Sequence, residues 1–191
     1  MSETSDDHLM RRLAAGEIEA LGPLVERYKD PMTNYLTRLT GNKERGEELA
    51  QETFLRLLRA APGYRSEGRF SALLYRIATN LARSEARSLR RFRLRFERFA
   101  GEMKGNGYES FSGPEDTLLR QEARDCVSRA LSTLPMRYRV PLTLYAIEGW
   151  SYLEIAGFLA LREGTVKSRI ARGRQRLRAA LVPYWQGEEE Q

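Results

Sequence analysis

The sequence predicts an all-α protein made of two small helical domains that a flexible linker joins. Apolar residues recur at helical spacing along nearly the whole chain. No run of alternating β-branched residues lies between turn signals, which argues against strands. A Gly-rich stretch interrupts the helical pattern once, at residues 101–114. The length of 191 residues suits one ordinary domain or two small ones.

The helical spacing predicts a series of helices in order along the chain. They span residues 7–15, 17–40, 43–61, 69–99, 115–133, 136–148, 151–160 and 164–182. Pro23 and Pro31 fall inside the second of these helices. Because proline removes a backbone donor and clashes with the preceding turn, we expect that helix to be interrupted or kinked.

The Gly-rich stretch divides the chain into two parts that could each bury an amphipathic core. We therefore expect one domain over residues 1–100, a linker over 101–114 and a second domain over 115–191. A long surface loop inside a single domain is the alternative interpretation of the same stretch.

The composition excludes several kinds of site. One cysteine (Cys126) and one histidine (His8) rule out an internal disulfide, a thiolate zinc cage and a histidine-based triad. No apolar run approaches the roughly 20 residues that span a bilayer, and the acidic start is unlike a secretory segment. We therefore expect a cytoplasmic protein that does not insert into a membrane. We expect no catalytic residue, no metal site and no cofactor.

The net charge of +6 is concentrated in two basic runs. Residues 83–104 carry a net charge of +5 and residues 162–178 carry +6, so the rest of the chain is acidic. Two basic runs with few compensating acids indicate a polyanionic partner such as nucleic acid. Solvated helix faces are the alternative interpretation.

A helix-turn-helix is predicted over residues 151–181. Ser151 and Glu154 form a capping box that begins its first helix. We expect Leu153, Ala156 and Leu159 to make the inner face of that short helix, and a polar turn to precede Thr165.

The second helix of this motif divides into an apolar and a polar side. The apolar stripe consists of Val166, Ile170, Gly173, Leu177 and Leu181. A glycine in that stripe suggests the close approach of a neighbouring helix. The opposite side carries Ser168, Ala171, Arg172 and Gln175, and cations fill the flanks. This pattern is typical of a helix that reads the major groove, with Arg172 contacting a base and Arg169, Arg174 and Arg176 contacting phosphates.

Residues 47–61 form an amphipathic helix with an acidic outer side. Its predicted buried stripe consists of Ala50, Phe54, Leu57 and Ala61. Leu49 lies off that stripe beside Glu48 and Glu52, so we expect it to be exposed. An exposed leucine with a charged rim could anchor a protein partner, or it could be an ordinary surface leucine.

The next helix continues into the first basic run. Its predicted core stripe consists of Phe70, Leu73, Leu74, Ile77 and Leu81. Arg76, Thr79 and Arg83 are expected to face away, with Tyr75 and Asn80 at the borders. Phe92, Phe96 and Phe99 alternate with the cations that follow, a composition that suits single-stranded nucleic acid but also suits core packing.

These segments together resemble one family. LAQETF at 49–54, FSALLYRIATNLAR at 70–83 and GTVKSRIARGRQRLR at 164–178 resemble the extracytoplasmic-function (ECF) subfamily of bacterial RNA polymerase sigma factors. The resemblance covers roughly residues 9–182. It implies binding to core RNA polymerase at the β′ coiled coil and the β flap. It also implies recognition of promoter DNA in duplex and single-stranded form, promoter melting, and control by an anti-sigma factor.

The resemblance also implies roles for particular residues. Binding to core polymerase is assigned to Glu48, Leu49, Gln51, Glu52 and Phe54. Recognition and melting of the minus-ten element is assigned to Tyr75, Arg76, Thr79, Asn80, Arg83 and Arg87. Reading of the minus-thirty-five element is assigned to Thr165, Lys167, Ser168, Arg169, Ala171, Arg172, Arg174 and Arg176. Leu73 departs from the pattern because many members carry a tryptophan there.

Two other interpretations remain open at the level of sequence. A stand-alone helix-turn-helix regulator would use residues 151–181 equally well, but it would leave the acidic helix and the first basic run without a purpose. A protein that only binds other proteins would carry both basic runs as solvated surfaces. Binding to polyanions that weakens with added salt would favour the interpretations that involve nucleic acid over a protein that only binds other proteins.

Overall fold

The computed structural model describes residues 5–65, 70–99 and 126–185, and every regular element in those ranges is helical. The all-α prediction is confirmed. The helices are α1 (Asp6–Ala14), α2 (Leu21–Thr40), α3 (Lys43–Ala60), α4 (Phe70–Phe99), α5 (126–133), α6 (Met136–Ala146), α7 (Tyr152–Leu159) and α8 (Glu163–Trp185). The predicted linker lies outside the described residues, as do the first part of the predicted fifth helix and the side chains of Phe96 and Phe99.

The second predicted helix begins later than expected. A short 3₁₀ turn at Ile18–Ala20 precedes α2, and Pro23 falls in the first turn of α2, where a backbone donor has no partner within the helix. Pro31 lies inside α2 without ending it, since the helix continues to Thr40. Gly41 then ends the helix in the left-handed region, at φ 78°.

The N-terminal half, α1 to α4, is built around a close contact between α2 and α3. A Cβ atom on Gly46 would lie 2.3 Å from Thr37 Oγ1 and 2.9 Å from Thr37 Cα. Only glycine permits this approach, because part of the opposing surface is backbone. Around the contact, Tyr35, Leu36 and Leu57 are fully buried.

The C-terminal half, α5 to α8, confirms the predicted underside of the helix-turn-helix. Val166 and Ile170 of α8 are buried, and Leu177 is half-buried. A Cβ atom on Gly173 would lie 3.3 Å from Leu142 Cδ2 and 3.4 Å from the Tyr138 carbonyl oxygen. The close helix approach expected at Gly173 is therefore present, and the neighbouring helix is α6.

The hydrophobic core is continuous between the halves. Leu39 of α2 and Leu74 of α4 belong to the same buried cluster as Leu131 of α5 and Leu144 of α6. The contact of α6 with α2 and α4 therefore sets how the two sets of functional residues lie relative to each other. No helix in the described ranges is long and apolar enough to cross a membrane.

Candidate polymerase-binding and DNA-binding surfaces

The outer face of α3 is acidic, but its exposed leucine is not the expected one. Leu49 is only 4% exposed, so the expectation that it faces solvent is wrong. Because α3 packs against both α2 and α4, its buried arc is wider than one stripe and includes Leu49 and Thr53. Leu55 is the leucine that faces outward, with 49% of its surface exposed.

The residues around Leu55 form the polar rim of this face. Glu48 and Gln51 are exposed, and Glu52 is half-buried. Arg56 Nε donates to Glu52 Oε1 at 2.8 Å, which orients that carboxylate. The expected buried stripe of Ala50, Phe54, Leu57 and Ala61 is confirmed. Phe54 therefore lies beneath the polar face and supports it from inside.

A bidentate ion pair joins the start of α3 to α4. The Arg45 guanidinium donates to both carboxylate oxygens of Glu85 and also to Glu48. These two hydrogen-bonded carboxylates raise the pKa of Arg45. The pair fixes the acidic face of α3 relative to the basic run that begins on α4.

The exposed face of α4 is a single stripe of polar and cationic side chains. Arg76, Asn80 and Arg87 are exposed and Arg83 is half-buried, at spacings that place all four on one side of the helix. The two remaining predicted minus-ten residues, Tyr75 and Thr79, are buried. The expectation that Thr79 faces away from the core is wrong, because its hydroxyl lies 2.7 Å from the hydroxyl of Tyr35 in α2.

Leu73 lies at the edge of this face. It is half-buried and lines a cleft of about 470 Å³ with Tyr64, Arg65 and Arg76.

The helix-turn-helix has the predicted outer face. Ser168, Ala171, Arg172 and Gln175 are all exposed on α8. The capping box is confirmed, since Ser151 Oγ accepts from the Glu154 N–H at 3.2 Å and Glu154 Oε2 accepts from the Ser151 N–H at 2.8 Å. The Ser151 hydroxyl also donates to Glu154 Oε2 at 2.7 Å, and this bond together with the one from the Ser151 N–H lowers the pKa of Glu154.

The inner face of α7 differs from the prediction. Leu153 is 72% exposed, so the expectation that it lies in the core is wrong. Ile155 and Ala156 are the buried residues of this short helix. Ala160 ends the helix in the left-handed region at φ 52°, which turns the chain towards α8.

Several cations of α8 lie against the tyrosine rings of α6 and α7. The Arg174 guanidinium is 5.2 Å from the ring centroid of Tyr145, and that of Arg176 is 5.3 Å from the centroid of Tyr138. Such cation–π contacts orient a long side chain without neutralising its charge. Lys167 lies 5.5 Å from the ring centroid of Tyr152 in α7 and also forms an ion pair with Glu163 at 2.7 Å.

The two halves meet at an aromatic and polar junction. The Tyr75 hydroxyl donates to the Glu148 carboxylate, and Arg38 Nη1 lies 3.9 Å from Glu148 Oε1. The Trp150 ring lies 5.3 Å from that of Tyr75 and 5.1 Å from that of Phe158, measured between centroids. Burial raises the pKa of Glu148, although Tyr75 and Arg38 act in the opposite direction.

A buried arginine completes the junction, and nothing in the sequence pattern indicated it. Arg139 of α6 is 8% exposed. Its guanidinium donates to the carbonyl oxygens of Leu134 and Ser132 within its own half and to that of Leu39 at the end of α2. Hydrogen bonds to several carbonyl groups satisfy the donors of this buried cation.

The junction brings the cationic stripe of α4 close to α7. Arg76, Asn80 and Arg83 line one side of a space of about 250 Å³. Residues 157–160 of α7 and its C-cap line the other side. The cationic stripe of α4 and the helix-turn-helix therefore adjoin in this arrangement.

Comparisons with known proteins identify the class that this fold and these surfaces define. The Sigma-70 region 2 family matches residues 24–92, and the Sigma-70 region 4 family matches residues 124–177. The first match contains the α3 and α4 surfaces, and the second contains α6, α7 and most of α8. A two-part sigma factor architecture thus accounts for both sets of surfaces.

Individual relatives narrow the class. The chain is 31% identical over 190 residues to RNA polymerase sigma-H factor of Pseudomonas aeruginosa, covering 96% of this chain and 97% of that one. It is 37% identical over 161 residues to ECF RNA polymerase sigma factor SigE of Mycolicibacterium smegmatis, covering 84% of this chain and 61% of SigE. The solved structure of CnrH in complex with the cytosolic domain of CnrY matches with a TM-score of 0.65 and 25% identity, covering 93% of this chain and 97% of that one. The chain belongs to the ECF group of RNA polymerase sigma factors.

Proposed function

We propose that this sigma factor binds core RNA polymerase through α3 and presents two DNA-reading helices to the promoter, α4 for the minus-ten element and α8 for the minus-thirty-five element. The observation that carries the proposal is the pairing of one acidic helix face with two cationic helix faces, one in each half. Each cationic face lies within one of the two sigma family matches.

The proposed division of the chain follows the family matches. A region 2-like domain occupies residues 1–100, a linker 101–114 and a region 4-like domain 115–191. Residues 24–92 and 124–177 fall inside the first and the second domain, which supports these boundaries.

The proposed polymerase contact uses the side chains that α3 exposes. Glu48, Gln51 and Glu52 supply the polar rim, and Leu55 supplies the apolar anchor. Leu49 and Phe54 act as positioning residues beneath this face. The partner groups on polymerase are the β′ coiled coil for α3 and the β flap for the C-terminal half.

The proposed DNA contacts follow exposure in the same way. On α4, Arg76, Asn80, Arg83 and Arg87 can reach DNA, while Tyr75 and Thr79 support the helix from below. On α8, Arg172 contacts a base, with Ser168 and Ala171 beside it. The flanking groups Thr165, Lys167, Arg169, Arg174 and Arg176 contact the phosphate backbone.

The mechanism requires no chemical step on this chain. Each half alone offers a small contact area, and core polymerase holds both at a fixed separation so that the two contacts act as one bivalent site. Strand opening costs unstacking energy, which capture of an extruded base and contacts to the displaced strand offset. The protein acts as a non-enzymatic initiation factor in the bacterial cytoplasm, where polymerase works, and needs no cofactor.

An anti-sigma factor is the proposed regulator. The resemblance implies such a partner, and the related CnrH structure is a complex with the cytosolic domain of CnrY. The direct contact between the halves supplies a closed arrangement that a regulator of this kind could stabilise.

Transcription with purified core polymerase tests the proposal. The full chain should convert core polymerase into a promoter-specific enzyme, and E48A/Q51A/L55A should lose most of its association with core because the exposed α3 face is removed. The matched control I18A/E19A/N34A removes one apolar, one acidic and one amide side chain at exposed positions elsewhere and should associate normally. Equal association of both triple variants would contradict the proposed α3 contact. Tight promoter binding without polymerase would instead favour a stand-alone regulator.

A further inference from the structure

The first turn of α1 carries two aspartates that reach residues on either side of the connection between α3 and α4. The Tyr64 hydroxyl donates to Asp7 Oδ1, across 57 residues of sequence. The Tyr28 hydroxyl donates to Asp6 Oδ2 at 2.6 Å, and the Tyr28 ring lies edge-on to that of Phe70 with 5.2 Å between centroids. Tyr64 follows the turn after α3, and Phe70 is the first residue of α4. α1 therefore contacts this connection at both of its ends.

Packing makes the Asp7–Tyr64 contact part of a fixed arrangement. α1 lies against the 3₁₀ turn at Ala61–Gly63 and also against α4. Leu13 of α1 and Ala61 of the turn are buried in the same core. Burial, together with the hydrogen bond to Asp7, raises the pKa of the Tyr64 phenol. The hydroxyl therefore stays protonated at neutral pH and remains a donor to the carboxylate.

Tyr64 also lines the cleft of about 470 Å³ at the edge of the α4 surface. Leu73 and Arg76 of α4 line the same cleft, and Arg76 is one of the proposed minus-ten contacts. Arg65, the next residue after Tyr64, lines it as well and is exposed. The orientation of Tyr64 therefore affects the shape of the cleft beside two cations.

From these contacts we propose that Asp7 is a positioning residue for the minus-ten surface. Its carboxylate holds Tyr64 in the wall of the cleft and so determines how that surface meets the DNA strand. The inference deepens the proposed use of α4 for the minus-ten element and rests on it. Asp7 needs no contact with DNA in this role, because its effect passes through the Tyr64 hydroxyl.

The sign of the effect separates this role from simple electrostatics. An aspartate repels the phosphate backbone, so removal of its charge should strengthen DNA binding if charge alone matters. Loss of the hydrogen bond should instead release the Tyr64 side chain from its present orientation and weaken binding to the minus-ten strand. The two explanations therefore predict opposite changes in affinity for a variant of Asp7.

Three single variants test the inference in the holoenzyme, on a promoter from which the unmodified chain directs transcription. Asp7→Ala removes the acceptor, and Tyr64→Phe removes the donor while keeping the ring. Asp7→Asn is the matched control, because it loses the same charge as Asp7→Ala but keeps an oxygen that can accept from Tyr64. One DNA probe carries the promoter with its minus-ten region unpaired. A second probe is a duplex that carries the minus-thirty-five element alone.

Asp7→Ala and Tyr64→Phe should each lower the affinity for the unpaired minus-ten probe about fivefold, as expected for one lost hydrogen bond. The double variant D7A/Y64F should lose no more than either single variant, because both remove the same bond. Asp7→Asn should bind this probe within about twofold of the unmodified chain. Every variant should bind the minus-thirty-five duplex within about twofold of the unmodified chain, which a general loss of folding would not allow.

Trypsin cleavage after Arg65 reports the same contact without polymerase. Release of Tyr64 should expose the neighbouring backbone and raise the rate of this cleavage about threefold or more in Asp7→Ala and in Tyr64→Phe. Asp7→Asn should be cleaved at nearly the rate of the unmodified chain.

Several results would overturn the inference. One is unchanged or tighter binding of Asp7→Ala to the unpaired probe. Another is an equal loss in Asp7→Asn, which would mean that the charge acts rather than the hydrogen bond. Unchanged cleavage after Arg65 in Asp7→Ala and Tyr64→Phe would contradict the assigned contact. Failure of the unmodified chain to bind the unpaired probe with core polymerase would count against the proposed function, whereas equal binding by that chain and by Asp7→Ala would count against the inference alone.

Discussion

The N-terminal and C-terminal halves differ in how they carry their functional side chains. Of the twelve largest fully buried side chains among the described residues, eight lie in α1 to α4 and four lie in α5 to α8. In the first half, several residues assigned to partner contacts are part of that core, among them Leu49 and Tyr75. In the second half, Arg172 and its neighbours on the outer face of α8 are all exposed.

This difference shows that a contact surface can be specified in two ways. α8 carries its proposed DNA-reading residues on one side and its core residues on the other, so a substitution should affect one role at a time. α4 interleaves them, because Thr79 is held by Tyr35 while Asn80 next to it is exposed. Substitutions on α4 should therefore change stability and DNA binding together more often than those on α8.

The largest expected effect comes from the core of the N-terminal half. Leu74→Ala removes a fully buried side chain and should lower the free energy of unfolding by about 2–5 kcal/mol. Leu153→Ala, at an exposed position of the C-terminal half, should change it by less than about 0.5 kcal/mol. Urea unfolding followed by circular dichroism measures both, and comparable losses would contradict the assigned burial.

The close helix contacts at Gly46 and Gly173 should differ in how well they tolerate an added methyl group. Gly46→Ala should destabilise the chain by about 1–3 kcal/mol, because the new Cβ meets the backbone of Thr37. In Gly173→Ala the added Cβ lies 3.3 Å from Leu142 Cδ2, at the end of a side chain that can move. This substitution should therefore change stability by less than about 1 kcal/mol.

Gly157→Ala, with open space around the added atom, serves as a control for helix propensity in both cases. Thermal unfolding of the three variants gives the comparison. A Gly173→Ala loss as large as that of Gly46→Ala would show that α6 and α8 are as tightly constrained as α2 and α3.

On α8, the loss of a proposed base contact and the loss of a proposed phosphate contact should affect DNA binding differently. Arg172→Ala should cost about 1–3 kcal/mol on the cognate promoter and relax sequence preference, whereas Arg176→Ala should weaken binding to all sequences alike. Holoenzyme titrations against cognate and random duplexes measure both effects. If Arg172→Ala weakened both duplexes equally, Arg172 would be a phosphate contact.

The smallest expected effect is the pH dependence of stability at two glutamates. The contributions of Glu148 and Glu154 to the stability of the folded state should change with pH in opposite directions. The pKa of Glu148 is raised above its ordinary value of 4.5, mainly by burial, so its contribution favours the folded state at low pH and declines as the pH rises through the raised pKa. The pKa of Glu154 is lowered, so its contribution is present above 4.5 and is lost as the pH falls through the lowered pKa.

Melting temperatures of the unmodified chain, Glu148→Gln and Glu154→Gln across this pH range provide the measurement. The melting temperature of each variant is subtracted from that of the unmodified chain at each pH, and the two difference curves should slope in opposite directions. Slopes of the same sign would contradict one of the two assigned environments.

The spacing of the apolar residues predicted the helices and the centre of the buried stripe on several of them. The stripe from Ala50 to Ala61 and the outer face around Arg172 follow from spacing alone, because residues three and four apart lie on the same side of a helix. The capping box was equally predictable, since Ser151 and Glu154 act within one turn.

What spacing could not show is contact between distant elements. Leu49 is buried because α3 has two neighbours, and Thr79 is buried because its hydroxyl pairs with Tyr35, 44 residues earlier. Leu153 was misplaced because α7 has only eight residues, over which a small rotation exchanges the inner and outer sides. The junction around Glu148 and Arg139 depends entirely on such long-range packing.

The position of Trp150 has a practical consequence. The chain has two tryptophans, and Trp150 lies at the seam of the halves against Tyr75. Replacing Trp185 by phenylalanine would leave a single indole emitter whose spectrum should shift to longer wavelength when the seam separates and water reaches the ring. Stopped-flow mixing with core polymerase could then time the separation directly, without attaching any dye.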